Sequence, residues 1–531
     1  MKKYKNYFIN LICPAFIFGS LTGIFTAIVV MLYKVCASLV ISFSEQGYAF
    51  IREHLYILPI ALIVLFGIAW LFAIVYKKNP NLRGGGIPTS IGILRGIITF
   101  KWLRNIIGTF FLSLTTFLIG VPLGNEGPSV QMGTAIGRGT VYTMAKKRRA
   151  WDRYSMTGGA CAGFSTATGA PISGIMFAIE EAHQRISPMI IIVSSVSVMF
   201  ARITSELLAP ILKVDISLFN VDTIISLKIR DIWIPLVIGI FVGLFAVLFL
   251  KMYRLIRIFF TKVLAKVPHQ YKIFAIFVVT LCLGLVSLSF VSTGHHLIEE
   301  LFEGKIAIYM LVLILLVRSV LTLSASANSV TGGMFVPILA LGALISSILG
   351  KIMQSLFDFP NEYYVIILIL GITACISSMM KTPLTAIFFA VEALSCYENI
   401  LYVIIVSAVA FIITEVLGVK SINDTVVDVR VEEQNEGKQS IVIDTFVTVQ
   451  PESFAIGKQI RDIFWPANLF VLSVKHDESR GAEVDEHGGK EIREGDILHV
   501  RYSTFDEEAT IEELHAIVGV QKIVKNQAEV I

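Results

Sequence analysis

Gly124-Asn125-Glu126-Gly127-Pro128-Ser129-Val130 sets one carboxylate in a loop of small residues, at the start of a predicted helix inside apolar sequence. Gly124 and Gly127 let backbone amides come close to a ligand. Pro128 suits a first helical turn, where its missing N–H costs nothing. The free amides and the positive end of the helix dipole at such a place favour an anion. Glu126 is itself an anion there, so it competes with a bound ion or is neutralised by a proton. An ionisable residue inside a membrane segment is a functional candidate by default. The plainer alternative is a helix-capping carboxylate at a membrane surface.

The membrane setting follows from composition. The chain has 531 residues, 55% hydrophobic and 16% charged, with a mean hydropathy of +0.75. That is too apolar for a soluble globular protein. A net charge of +4 is small and does not imply nucleic acid. Cys13, Cys36, Cys161, Cys282, Cys375 and Cys396 are scattered without a CxxC pair and read as small buried apolar residues. His295-His296 lies in a polar connection without further ligands, so it reads as an exposed loop; no metal or cofactor is expected.

The first apolar run, from about Phe8 to Val40, is too long for a signal-peptide core and reads as a retained, tilted helix. Lys2, Lys3 and Lys5 before it suggest a cytoplasmic N-terminus, and Lys146-Lys147-Arg148-Arg149 with Arg153 reads as a cytoplasmic loop. The expectation is a multi-pass protein of the plasma membrane with both termini in the cytoplasm. Several later apolar runs, such as Leu384–Leu394, are too short for a full crossing. Broken or re-entrant helices of this kind are tolerated only where they line a cavity or pack on protein. Gly133, Gly137 and Gly139 resemble part of a nucleotide fingerprint, but no strand precedes them, and small residues four apart favour close helix packing.

An internal repeat carries the loop twice. Gly124–Pro128 aligns with Gly333-Met334-Phe335-Val336-Pro337 at an offset of 333 − 124 = 209. Ala170-Pro171 with Phe177-Ala178-Ile179-Glu180 aligns with Thr382-Pro383 and Phe389-Ala390-Val391-Glu392 at 383 − 171 = 212. Two halves, about 50–210 and 233–418, each bring a glycine-rich helix start. The first adds another at Arg83-Gly84-Gly85-Gly86-Ile87-Pro88. Repeated halves whose broken helices meet by their N-termini describe an anion transporter or channel.

Three motifs then carry a family resemblance. Gly84–Pro88 resembles the GSGIP motif of the CLC chloride channels and anion/proton antiporters, Gly124–Pro128 their GREGP, and Gly333–Pro337 their GxFxP. The resemblance covers about residues 10–425. It implies an all-α polytopic membrane protein: an inverted-repeat bundle of tilted and broken helices, embedded in a lipid bilayer as a homodimer with one anion pathway per subunit. Glu126 falls on the gating and proton-carrying glutamate. Glu181, closing Ala170-Pro171 through Glu180-Glu181, falls on the inner proton-transfer glutamate, with Glu180 its near double. Met334 and Phe335 would offer backbone amides to the anion, among Gly85, Ile87, Asn125, Gly127, Thr331, Gly333 and Asn423. Three departures stand out: Gly85 replaces the filter serine, Asn125 the arginine before the glutamate, and Asn423 stands near the filter tyrosine's place.

The resemblance implies exchange of a halide anion for protons, with chloride favoured over fluoride. A fluoride/proton antiporter and a passive chloride channel of the same fold are the alternatives. A membrane enzyme using Glu126 as general acid or base would need a nucleophile or metal cluster beside it, and none is apparent in the sequence.

Apolar patterning ends near Gly418. Residues 426–440 read as a charged linker and 441–531 as a small cytoplasmic α/β domain, after a transport domain over 1–425. Ile441–Val449, Leu469–Val474 and Ile497–Tyr502 read as strands, and Ser453–Phe464 and Glu507–Val518 as helices. Ile456–Ile460 and Ile492–Leu498 resemble the C-terminal ligand-binding domain of potassium-conductance regulators, which implies dimerisation and a possible small cytoplasmic ligand.

Overall fold

A computed structural model of the chain describes residues 12–145, 149–219, 221, 224–357, 361–435, 439–476, 489, 491–521 and 525–530. Lys2, Lys3, Lys5, Lys146, Lys147 and Arg148, read above for topology, lie outside the described residues. Among those described, eight helices are long and apolar enough to cross a membrane, and Tyr364–Met379, Pro383–Ala393 and Ile400–Val416 are shorter apolar ones. The first is a single 41-residue helix, Cys13–Glu53. At 1.5 Å per residue it runs to about 60 Å, roughly twice a hydrocarbon core, so it must lie strongly tilted.

The helices pack through glycine. A Cβ on Gly133 would strike the carbonyl of Gly159, and one on Gly159 the carbonyl of Gly133, so Glu126–Met144 and Asp152–Thr168 touch backbone to backbone. Gly342 and Gly371 exclude each other in the same way in the second half. The offsets are those of the sequence repeat: 342 − 133 = 209 and 371 − 159 = 212. The repeat is therefore one of contacts as well as of letters, and the glycines serve packing.

The two halves are also stitched by exchanged caps. Glu180 accepts from the amides of Leu384 (2.9 Å) and Thr385 (2.7 Å) at the start of helix Pro383–Ala393. Glu392 accepts from the amides of Ile172 (2.8 Å) and Ser173 (2.9 Å) at the start of helix Pro171–Phe177. Each half thus supplies the carboxylate that satisfies orphan N–H groups of the other.

The tail holds a four-stranded antiparallel sheet in the order β2 (Leu469–Lys475), β3 (Ile497–Thr504), β1 (Ile441–Thr448), β4 (Lys525–Val530), with helix Glu507–Val518 contributing to its core. Two expectations change. Ser453–Phe464 forms turns and one 3-10 turn, Ile460–Asp462, instead of a helix. Left-handed Glu452 and Gly457 (φ 60° and 75°) interrupt the helical path. The stretch read as linker is mostly helix, Ile422–Gln434, capped by the Ser421 hydroxyl on the Asp424 amide (2.9 Å). Buried Arg430 donates from it to the carbonyls of Pro80 (3.1 Å) and Arg83, which fastens the segment to the Gly84 loop.

The tail packs on one face of the helical body. Tyr154 donates to the carbonyl of Asp462 (2.6 Å), Ser187 to its carboxylate (3.0 Å), and the Phe464 ring lies 4.4 Å from that of Tyr154. Helix Cys13–Glu53 begins near that face, with Phe18 against Trp151 (5.9 Å), and reaches His296 at Glu45 (3.6 Å) after 45 − 18 = 27 residues. That is a rise of about 40 Å, so His295 and His296 stand toward the face away from the tail.

Candidate functional site

Three helix starts converge. Gly124 and Gly333 exchange both backbone hydrogen bonds (2.6 and 2.8 Å), an isolated antiparallel bridge joining the loops of the two halves. Gly84 donates to the carbonyl of Ser329 (2.7 Å), and Gly86 packs so closely on Gly127 that no side chain fits between them. Glycine is required by this close approach of three backbones.

Between helices Gly86–Leu94 and Phe335–Phe357 lies a small cavity lined by Gly85, Ile87, Pro88, Ser326, Met334, Phe335, Ile338, Met380, Asn423 and Val426. It leaves about 10 Å³ for the centre of a water-sized sphere, roughly what a single water or small ion needs. The first N–H groups of both helices have no acceptor within their own helix, and their dipoles place partial positive charge there. Its side-chain donors are few: the Asn423 amide and the Ser326 hydroxyl, which is shared with Tyr253.

Of the predicted anion-binding residues, Gly85, Ile87, Met334, Phe335 and Asn423 line this cavity, while Asn125, Gly127, Thr331 and Gly333 do not. The Thr331 hydroxyl is committed elsewhere, donating to the carbonyl of Leu82 (2.6 Å) and meeting Tyr76 (2.7 Å). Gly333 is used in the bridge, and Gly127 packs on it. The amide oxygen of Asn125 is buried without a partner. Ser326 and Met380 were not read from sequence; nothing in their spacing separates them from other small or apolar residues on their helices.

Two buried carboxylates flank the cluster. Glu126 is 0% exposed, and apart from its own backbone N–H its carboxylate has no hydrogen-bond partner. It folds back over Gly124, where a Cβ would collide with Oε2, and its nearest charged-type group is His295, Nε2 to Oε1 at 3.7 Å. The expectation of an exposed histidine loop fails on the loop, since both residues open helix His295–Phe302, and on exposure it holds for His296 (71%) and fails for His295 (22%). Sequence separation (295 − 126 = 169) hides this pairing.

Glu181 lies on the tail side, 4% exposed. Asn423 donates to its Oε1, while Oε2 has no partner. Residues Ala178–Ala182 form a π turn, and adjacent positions of any helical turn point their side chains to different faces. Glu180 consequently caps the other half, and Glu181 points to the cavity wall. Arg95 holds the turn by donating to the carbonyls of Glu181 (2.8 Å) and Ala182 (3.0 Å) and to Asp424 (2.8 Å). Among the described residues no group of three or more metal-type ligands occurs.

A family model described as voltage gated chloride channel matches residues 61–415. The H(+)/Cl(-) exchange transporter ClcA of Klebsiella pneumoniae subsp. pneumoniae is 28% identical over 381 residues, 71% of this chain and 80% of that protein. The structure resembles that of a slow cyanobacterial Cl-/H+ antiporter (TM-score 0.72, 23% identity, 80% of this chain and 99% of that one). It also resembles a CLC-type fluoride/proton antiporter (TM-score 0.62, 21% identity, 76% of this chain and 95% of that one). A eukaryotic CLC transporter scores 0.63 at 18% identity, covering 79% of this chain and 74% of that one.

Proposed function

The chain belongs to the voltage gated chloride channel family, and on that premise we propose that it is a secondary transporter exchanging a halide anion for protons, with chloride preferred to fluoride. Membership of a channel and transporter family removes the enzyme reading. In the proposed cycle the anion occupies the cavity against the helix N-termini of Gly86–Leu94 and Phe335–Phe357. Glu126 moves between protonated and ionised states, the ionised form competing with the anion. Glu181 exchanges protons with the tail side, and Asn423 touches both that carboxylate and the cavity.

The observation that carries exchange over passive conduction is the pair of buried carboxylates, each with at least one oxygen free of hydrogen bonds. Burying an ionisable group costs several kcal/mol unless it is paired or neutralised. A passive anion pore has no need for two of them. We further propose that the chain works as a homodimer in the plasma membrane with the tail in the cytoplasm, and that the tail resembles the regulator domain that binds a small ligand. Both rest on the resemblances of the tail and of residues 10–425.

The preference for chloride follows from the donors. Fluoride is small and strongly hydrated, so it demands a dense shell of close donors in exchange for water. Backbone amides with one shared hydroxyl and one amide side chain suit chloride better. Proteoliposomes loaded with chloride or fluoride in parallel should release chloride faster. Gly85→Ser, which adds a hydroxyl at the cavity wall, should tighten chloride binding severalfold, about 1 kcal/mol for one added hydrogen bond. Fluoride efflux well above chloride in the unmodified protein would reverse the ion assignment and leave exchange intact.

A further inference from the structure

His295 is held over Glu126 by an arrangement built around one buried cation. Arg318 is 1% exposed, and its guanidinium donates to three consecutive-loop carbonyls: Ser289 (3.1 Å), Val291 (2.7 Å) and Ser292 (3.0 Å). The Ser292 amide in turn donates to the carbonyl of Gly120, at the entrance to the Glu126 loop (2.7 Å). Gly294 follows at φ 110°, a left-handed position where a Cβ would meet the Arg318 guanidinium at 2.9 Å. The loop therefore has one path, and it delivers His295 as the first residue of its helix. There the Phe219 ring flanks the imidazole at 5.8 Å, and Nε2 faces Oε1 of Glu126 at 3.7 Å.

We propose that His295 is the group through which Glu126 exchanges protons with the solution on the face away from the tail, and that Arg318 is the positioning residue that keeps it in reach. This rests on the reading of Glu126 as the proton carrier. Glu126 is wholly buried and otherwise unpartnered, so it needs a partly exposed intermediary; His295 lies 3.7 Å from the carboxylate and keeps 22% of its side chain exposed. Imidazole has two nitrogens, which allows relay through the ring. With Nε2 carrying the ring proton, Nδ1 takes a proton from solution and Nε2–H passes to Oε1 of Glu126. The products are a neutral carboxylic acid and a neutral imidazole protonated on Nδ1. The ring resets when Nδ1 releases its proton to solution and Nε2 regains one. A closing movement of about 0.9 Å brings the pair to hydrogen-bond distance. The charged or titratable groups facing His295 are Glu126 itself, Lys34 on helix Cys13–Glu53 and the neighbouring His296.

The experiment measures chloride-driven proton flux in proteoliposomes with the pH on the outer side varied and the inner pH fixed. His295→Ala and the size-conserving His295→Gln should lower proton flux by about 100-fold, the lower end for a positioned proton-transfer group, and flatten its outer-pH profile. Free imidazole added outside should restore most of the flux to His295→Ala. Arg318→Lys, which cannot make all three carbonyl bonds, should behave likewise and also respond to imidazole. Unchanged proton flux and pH profile in both histidine variants overturns the proposal. So does a loss that imidazole leaves untouched and that strikes anion and proton flux equally, since that is a packing role. Glu126→Gln run alongside separates the two failures: if it still transports protons, the carrier reading itself is wrong.

Discussion

Glu180 and Glu181 are adjacent, chemically identical and differently employed. Glu180 satisfies two backbone amides and the Thr385 hydroxyl (2.8 Å), so it is a helix cap with a structural task. Glu181 keeps one oxygen free beside the cavity wall. Glu181→Gln is expected to cut proton flux about 100-fold or more, the order assigned to a single proton-transfer group, while anion movement persists. Glu180→Ala is expected to leave the coupling ratio near its normal value and lower thermal stability by about 0.5–2 kcal/mol, as loss of a helix cap does. Flux ratios and melting of the purified variants decide between these roles; equal transport defects in both would contradict the division. Sequence alone offered the two glutamates as doubles, because residue type does not say which of two adjacent helical positions faces the other half and which faces Asn423. His295 was hidden for a similar reason. Its partner lies 169 positions away and is fixed by a buried arginine whose bonds go only to backbone carbonyls.

Helix starts and glycine contacts were more legible, because both depend on local residue type. The three Gly-Pro loops announced N-termini, and they converge through the Gly124–Gly333 bridge. The spaced glycines announced packing, and Gly133–Gly159 and Gly342–Gly371 are the places where helix backbones meet. Gly133→Val or Gly342→Val should therefore force the paired helices apart. A cost of 3 kcal/mol or more is expected, about the upper range for overpacking, read as loss of monodisperse protein after extraction in detergent. Wild-type stability in both would mean the contacts are looser than drawn. Residues 426–440 read as linker because charged residues dominate their average polarity, yet most of that stretch belongs to helix Ile422–Gln434. Only its neighbours show that Val426, Val427 and Arg430 are buried against the helical body. A segment's composition reports its solvent face; its buried face is decided by what it packs on.

The molecule buries one carboxylate, Glu126, over Gly124 and a second, Glu181, against Asn423 of the cavity wall, and sets the tail beside the second of them. The Phe464 ring stands among Tyr154 (4.4 Å), His183 (4.5 Å) and the Arg185 guanidinium (4.7 Å), with His183 two residues beyond Glu181. Phe464→Ala should weaken this docking by about 3 kcal/mol, the scale of a buried phenylalanine, and expose the connection near residue 440 to protease while exchange continues. Exchange itself is the claim on which the rest depends. The direct measurement is chloride efflux from proteoliposomes under a clamped voltage, with the pH of a weakly buffered outer medium recorded. Outward chloride should draw protons inward and raise the outer pH, and Glu126→Gln should abolish the pH change while chloride still leaves. Chloride efflux from the unmodified protein with no proton movement would contradict exchange and leave a passive channel.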